Sequence, residues 1–431
     1  MPLHDSIALG LSLPLWSVVP FAGLLLSIAL FPLFAPALWA RHYAKVCLAF
    51  GVPVAGFFLL RAPSELLHTV LEYASFLILL ASLFTISGGI LLRGTLRSST
   101  GVNCAILGIG AVLANVFGTT GAAMLLIRPL LRANAGRHRV AHVVVFFIFL
   151  VANIGGALTP IGDPPLFLGY LRGVPFFWTL RAMGLLWAAA VALVIGAFYL
   201  ADRRAFALDE AAGDGDPGVP ETVAVRGDGR IPLSLEGKIN LLLLLVVIGA
   251  VFLPTPWREG AMVAAAAVSV WKTPAKVREE NEFTWYPIEE VAILFAGIFA
   301  TMIPALLILK ARGAELGVST PAHFFWATGA LSSFLDNAPT YLIFFSLAQG
   351  VGGAAAAGSS LVAGVPPEIL QAIGAGAVFM GANSYIGNAP NFMVKAIAEE
   401  AGVRMPSFFG YMAWSCGILL PIFALLTVIF F

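Results

Sequence analysis

Of 431 residues, 60% are hydrophobic and 11% charged, less than half of the roughly 25% charged residues of soluble domains, so a soluble globular protein is excluded. The apolar stretches reach about twenty residues or more and lack the alternation of barrel strands, which makes the chain an all-α polytopic membrane protein and excludes an outer-membrane barrel. A net charge of +1 singles out no charged partner; the lipid bilayer is the expected partner and nucleic acid is not.

In chain order, runs 12–35, 43–60 and 67–92 are each long enough for one crossing. No Lys or Arg precedes the first, so no cleaved signal peptide is expected. Segment 102–133 carries the polar tip Phe117-Gly118-Thr119-Thr120-Gly121-Ala122 at its centre and reads as a re-entrant hairpin. The crossing 140–171 is broken near 155–165 by Thr159-Pro160-Ile161-Gly162-Asp163-Pro164-Pro165, and 176–200 follows. Residues 202–238, rich in Gly, Asp and Ala, form the only soluble-looking stretch and read as a flexible cytoplasmic linker. Crossings are then expected at 239–254, 259–271 and 288–310. Segment 322–350 is a second hairpin, with the tip Phe334-Leu335-Asp336-Asn337-Ala338-Pro339-Thr340. The crossing 368–398 is broken near 381–391 by Ser384-Tyr385-Ile386-Gly387-Asn388-Ala389-Pro390, and 407–431 closes the chain. Cys47, Cys104 and Cys416 show no paired spacing and imply neither a disulfide nor a metal cluster.

About ten transmembrane helices and two hairpins thus fall into two alike halves, 1–201 and 239–431, each with five spans, one hairpin and one broken span. If the hairpins do not cross, eighteen of the twenty-four Lys and Arg residues share one face, leaving Arg61, Arg172, Arg181, Arg258, Lys310 and Arg312 on the other. The positive-inside rule then puts both termini outside, the mouth of the first hairpin in the cytoplasm and that of the second outward. Five crossings per half invert the second copy relative to the first, giving an inverted-topology repeat in the cell's inner (plasma) membrane. Four broken elements, two per half, are the pattern of a repeat-built membrane transporter.

A carboxylate at the bilayer centre costs at least about 2.5 kcal/mol, so it needs a partner or a purpose. Of twenty-three acidic residues, only Asp163 and Asp336 fall on mid-span interruptions. Their counterparts in the other half are Asn388 and Thr119. Asp163 before Pro164-Pro165 also suits a plain helix N-cap, a role compatible with ion binding. Hard oxygen ligands for a small cation are available on Thr119, Thr120, Thr159, Thr340 and Ser384, on Asn337, Asn383 and Asn388, and on backbone freed at Gly162 and Gly387. With Asp163 and Asp336 outweighing the partial positive charge of half-helix N-termini, the centre reads as binding sodium, lithium or protons, with no other cofactor.

At these positions the chain resembles the ArsB/NhaD branch of the ion transporter superfamily, including NhaD-type sodium/proton antiporters and citrate-transporter-like (CitMHS) membrane proteins. The likeness rests on Leu335-Asp336-Asn337 and on Gly155-Gly156-Ala157-Leu158-Thr159-Pro160-Ile161-Gly162-Asp163. It implies a scaffold domain, a mobile domain holding both hairpins, an elevator-type movement and a homodimer. Two departures stand out. Pro164 and Pro165 replace hydroxyl residues that follow Asp in the antiporters, and Asn337-Ala338-Pro339 and Asn388-Ala389-Pro390 replace the twin Ser-Asn-Thr signatures of dicarboxylate carriers. The first expectation is a sodium(lithium)/proton antiporter. The alternative is a cation-coupled citrate or dicarboxylate transporter, or an arsenite efflux carrier. An intramembrane aspartyl protease is a remote third reading, because each aspartate adjoins a broken element instead of sitting on a continuous helix; no enzymatic activity is expected.

Overall fold

The computed structural model describes residues 3–94, 98–212, 234–355 and 361–431. Arg97, Arg226 and Arg230, used in the charge argument above, lie outside the described residues, as do 213–233 of the expected linker and 356–360 of the loop after the second hairpin. Among the described residues there are seventeen α-helices and one two-stranded ribbon.

The chain begins with α1 (Leu3–Ser12), a helix not foreseen in the sequence, then α2 (Val19–Phe34), α3 (Pro36–Arg61) and α4 (Pro63–Ser87). Proline stands in the first turn of α2, α3 and α4, where its missing N–H costs nothing and its fixed φ favours the helix. The strand β1 (Leu91–Arg93) leads to α5 (Thr100–Ala133). This helix is not straight. Asn103 and Asn134 exchange side-chain hydrogen bonds of 3.0 and 2.8 Å, yet a straight helix would hold residues that far apart in sequence about 46 Å apart. The chain doubles back at Gly118, whose φ of 74° favours glycine. The expected hairpin at 102–133 is therefore a pair of half-helices meeting at the foreseen tip.

The broken span follows as α6 (Ala141–Leu150), a short 3₁₀ turn and α7 (Pro164–Leu171); α8 (Trp178–Ala212) then runs well past residue 201, so the start of the expected linker is helical. The linker's far end forms β2 (Ser234–Glu236), which pairs antiparallel with β1. The second half comprises α9 (Ile239–Ala250), α10 (Trp257–Lys272), α11 (Ala275–Glu280) and α12 (Tyr286–Arg312). After them come α13 (Pro321–Ser332), α14 (Asn337–Ala355), α15 (Pro367–Met380), α16 (Ala389–Glu400) and α17 (Phe408–Phe430). Phe324 of α13 and Phe344 of α14 bring their rings to 6.4 Å, so this segment doubles back as well.

Among the described residues, eight helices, against ten expected crossings, are long and apolar enough to span a membrane. The difference has physical causes. The expected span 368–398 is cut by its Gly/Pro break into α15 and α16, of 14 and 12 residues. Expected spans 239–254 and 259–271 are only 12 and 16 helical residues, short of the ~20 needed for a perpendicular crossing. One of the eight, α5, owes its length to two half-helices in tandem.

The core sits around α6 and α15. Val143 through Ala152 are all fully buried. A helix with no polar face has to be surrounded on every side by protein or lipid, and here it is protein. In α15 the run Gly374-Ala375-Gly376-Ala377 lets α13 approach closely: a Cβ on Gly376 would lie 2.5 Å from the carbonyl of Phe325.

Two ionic clusters pin this core to its surroundings. Asp202 of α8, fully buried, accepts hydrogen bonds from Arg137 (2.7 Å), His142 (2.8 Å) and Asn103 (3.3 Å), fastening the open end of the α5 hairpin. At the far end of α7, Arg172 forms a bidentate pair with Glu72 of α4 (3.0 and 3.1 Å) and donates to Ser346 of α14 at 3.3 Å. The side chains of Arg172 and Glu72 are 16% and 7% exposed, so losing one partner strands a desolvated charge. We expect Glu72→Gln to cost about 3 kcal/mol or more, read as a lowered unfolding temperature in detergent. The double change Glu72→Leu, Arg172→Met is expected to recover most of that loss; a double variant no more stable than Glu72→Gln would contradict this account.

Candidate functional site

Asp163 is the N-cap residue of α7, yet its side chain makes no capping bond to that helix. Of the two N–H groups a cap can use, that of the second helical position is missing at Pro165, and that of the third, Leu166, donates to the Asp163 main-chain carbonyl at 3.1 Å. The carboxylate turns instead to other elements. It accepts from Thr119 Oγ1 at 2.8 Å, from Asn337 Nδ2 at 2.5 Å and from Asn388 Nδ2 at 3.3 Å. These donors sit at the tip of the α5 hairpin, the start of α14 and the N-cap of α16. The plain N-cap role weighed for Asp163 is thus not what the side chain does. Asp163 is 1% exposed, so every bond it makes substitutes for water it has lost.

Asp336 takes a different position. Its Oδ1 accepts from the backbone N–H of Ala338 at 3.0 Å, closing the start of α14, while its carbonyl accepts from Thr340 Oγ1 at 3.0 Å. It is half-buried and lines a cavity of about 860 Å³. Because Asn337 follows it directly, the Asn337–Asp163 bond brings the two acidic positions into one neighbourhood.

The two breaks are constructed alike. In the first, Thr159 Oγ1 donates to the carbonyl of Asn115 (2.7 Å) and accepts from Gly162 N (3.1 Å), while Thr119 N donates to the Gly162 carbonyl (2.8 Å). In the second, Ser384 Oγ donates to the Ser333 carbonyl and accepts from Ile386 N at 3.2 Å. Gly162 lies against the backbone of Gly156, and Gly387 against that of Gly381, too close for a Cβ at either place. Thr159, Ser384, Gly162 and Gly387 therefore spend their polar groups or their smallness on shaping backbone.

The remaining expected residues divide. Thr120 and Asn388 line the cavity. Thr340 is used up on the Asp336 carbonyl. Asn383 donates to Ser333 Oγ at 2.9 Å, but its Oδ1, like that of Asn337, is buried without a partner among the described residues. Those two amide oxygens are unsatisfied acceptors, although neither residue is among those that line the cavity. No group of three or more His, Cys, Asp or Glu side chains that could hold a metal ion occurs among the described residues.

Sequence reasoning missed three asparagines. Asn115 threads the first break, donating to the Gly155 carbonyl (2.7 Å) and accepting from Leu158 N (2.8 Å). Asn153 and Asn391 join the halves: Asn153 Nδ2 donates to Asn391 Oδ1 at 2.7 Å, and Asn391 Nδ2 donates to the carbonyls of Gly381 and Ser384. A usable signal was present, since all three are amides inside otherwise apolar runs flanking the breaks.

The cavity is lined by the ends of α3, α4 and α12 on one side and by the α5 tip, α16 and the start of α17 on the other. It reaches the site residues Thr119, Thr120, Gly162, Asp336 and Asn388.

Residues 10–431 match the family CitMHS_2, "Putative citrate transport". With nearly the whole chain matched, the protein belongs to that family of the ion transporter superfamily: a multi-pass membrane transport protein and not an enzyme. No curated protein matches the chain.

The backbone contacts at the breaks yield a controlled test. Gly162→Ala and Gly387→Ala are each expected to destabilise the protein by about 1–3 kcal/mol through overpacking, and to impair ligand stabilisation more than that. Gly184→Ala and Gly196→Ala, where a Cβ would meet nothing within 4 Å, serve as neutral controls. Thermal unfolding in detergent checks this; equal shifts for the two sets would refute the close-approach account.

Proposed function

We propose that the protein is a secondary carrier that moves citrate, or a small carboxylate of similar charge, together with cations that neutralise Asp163 and Asp336. The observation that carries this reading is the mixture of signs at one site in a member of a citrate-transport family. The N-termini of α7, α14, α16 and of the second half of α5 gather there, each offering roughly half a positive charge to an anion. Asp163 and Asp336 repel the same anion. Such a site holds a carboxylate only when a cation or proton stands between the charges. The coupling ions in this reading are sodium ions or protons. Asn337 Oδ1, Asn383 Oδ1 and the Asp163 and Asp336 carboxylates are oxygens of the kind a sodium ion takes.

The reading reverses the order reached from sequence, which put sodium/proton exchange first. The two aspartates fit both activities, and family membership favours the carboxylate. For the architecture we keep the inverted repeat of five spans and a hairpin per half, with both termini outside the inner membrane. The paired construction of the breaks supports it. The cavity opens between helix ends whose flanking segments carry Arg41, Lys45, Arg278 and Arg404, the face assigned to the cytoplasm by the positive-inside rule. The structure is accordingly read as inward-facing. An elevator-type movement of the hairpins and broken spans against α2, α3, α4 and α12 would carry the site to the other face.

Reconstituted into proteoliposomes, the protein is expected to take up labelled citrate faster under an imposed sodium or proton gradient than without one. Asp163→Asn and Asp336→Asn are each expected to slow that uptake by about tenfold or more, the kinetic equivalent of at least roughly 1.4 kcal/mol. Sodium-driven collapse of a pH gradient with no citrate uptake would replace this reading with antiport. Full activity in both variants would remove the aspartates from the mechanism.

A further inference from the structure

The route to the site carries charge that a simple apolar passage would not. Among the described residues lining the cavity, Glu290, Asp336 and Glu399 are acidic, and Lys395 is the sole Lys or Arg. Before it reaches the helix N-termini of the site, an approaching carboxylate therefore meets one full positive charge among these lining residues, the Lys395 ammonium. Lys395 lies on α16, seven residues after the N-cap Asn388 whose amide reaches Asp163, or about 10 Å along the helix.

The surroundings of Lys395 suit exchange of partners. Its Nζ pairs with Glu399 Oε2 at 2.8 Å and lies 5.5 and 5.7 Å from the rings of Tyr385 and Phe392. Tyr385 and Phe392 line the same cavity. The Tyr385 ring is a fixed platform, since its hydroxyl donates to the Pro406 carbonyl at 3.0 Å and its ring packs 4.1 Å from that of Tyr411. It keeps the ammonium facing the passage. The bond to Glu399 is weaker by design of the helix: Lys precedes Glu at i,i+4, the less favourable order, and Glu399 is 44% exposed. A carboxylate brought in by substrate offers the ammonium a better-desolvated partner.

Resting on the carboxylate reading above, we infer that Lys395 is the anion-selecting residue of the carrier: it exchanges Glu399 for one carboxylate of the substrate and so favours di- and tricarboxylates over monocarboxylates. Glu399 holds the ammonium in place between substrates and competes with them.

Initial uptake rates of labelled citrate, succinate and acetate into proteoliposomes test this with wild type, Lys395→Gln, Lys395→Arg and Glu399→Gln. Lys395→Gln is expected to raise KM for citrate about tenfold, the loss of one charge-assisted contact, with a much smaller change in kcat. The preference for citrate over acetate is expected to fall with it. Lys395→Arg is expected to restore most of the affinity, and Glu399→Gln to lower KM by removing the competitor. Unchanged KM in Lys395→Gln while wild type carries citrate would overturn the inference and leave the functional reading intact. A uniform loss of kcat for all three substrates would also overturn it, as a structural role. Wild type that carries no carboxylate under either gradient would take both down.

Discussion

The structure depends on one carboxylate that has been removed from water. Asp163 is 1% exposed, and a carboxyl group in such a place is tolerated only if hydrogen-bond partners replace its hydration. Three side chains supply them, one from the α5 hairpin and two from the second half of the chain. Residues about 170 and 225 positions away in sequence are thereby held against one another. The fold's two halves meet where this buried carboxyl group has to be hydrogen bonded, and a chain of amides through Asn388, Asn153 and Asn391 extends the junction.

Delivering those donors requires helices that stop in the middle of the protein. An unbroken helix keeps its N–H groups to itself, so donors and partial charges become available only at a terminus. Each break solves the resulting shortage of hydrogen bonds in the same way: a hydroxyl, Thr159 or Ser384, bridges the interrupted backbone, and a glycine pair lets two strands of chain pass in contact. Pro164 and Pro165 add a further effect. Pro165 removes one of the N–H groups that a capping aspartate would use, and the Leu166 N–H goes to the Asp163 main-chain carbonyl, so the carboxylate is left to its neighbours. The departure from the antiporter pattern noted at these two prolines removes hydroxyl ligands, and in exchange it presents the acid itself.

Much of this was legible in the sequence because lipid leaves few choices. A Gly/Pro interruption in an apolar run has to be buried in protein or line a cavity, and that rule located all four interruptions and the convergence of Asp163 with the Asn337 neighbour of Asp336. Both segments double back near the polar tips read in the sequence. The helix lengths were less legible: apolar composition continues through α9, Pro254-Thr255-Pro256 and α10, so composition alone does not reveal how short each helix is. Individual roles were least legible. Thr159 and Thr119 are the same residue type in similar settings, yet one serves backbone and the other the carboxylate, a difference decided by the turn each occupies. Asn115, Asn153 and Asn391 were passed over because single amides in membrane helices usually join helices to one another; here they do so at the site itself.

The two ends of the site differ: a cavity reaches it from one side, and a buried ion pair stands on the other. On one side the cavity runs past Leu80, Leu83 and Phe84 of α4 to the hairpin tip at Gly118. On the other, two turns beyond the start of α7, Arg172 grips Glu72 on the same α4 helix and reaches Ser346 on α14. In the elevator reading proposed above, a mobile unit containing α7 and α14 would slide along α4 only by parting that pair. A buried bidentate pair gives up its geometry all at once, whereas apolar faces slide with little preference among positions. In that reading the apolar contacts of α4 would permit movement, and the Arg172–Glu72 pair would favour the end of that movement seen in this structure.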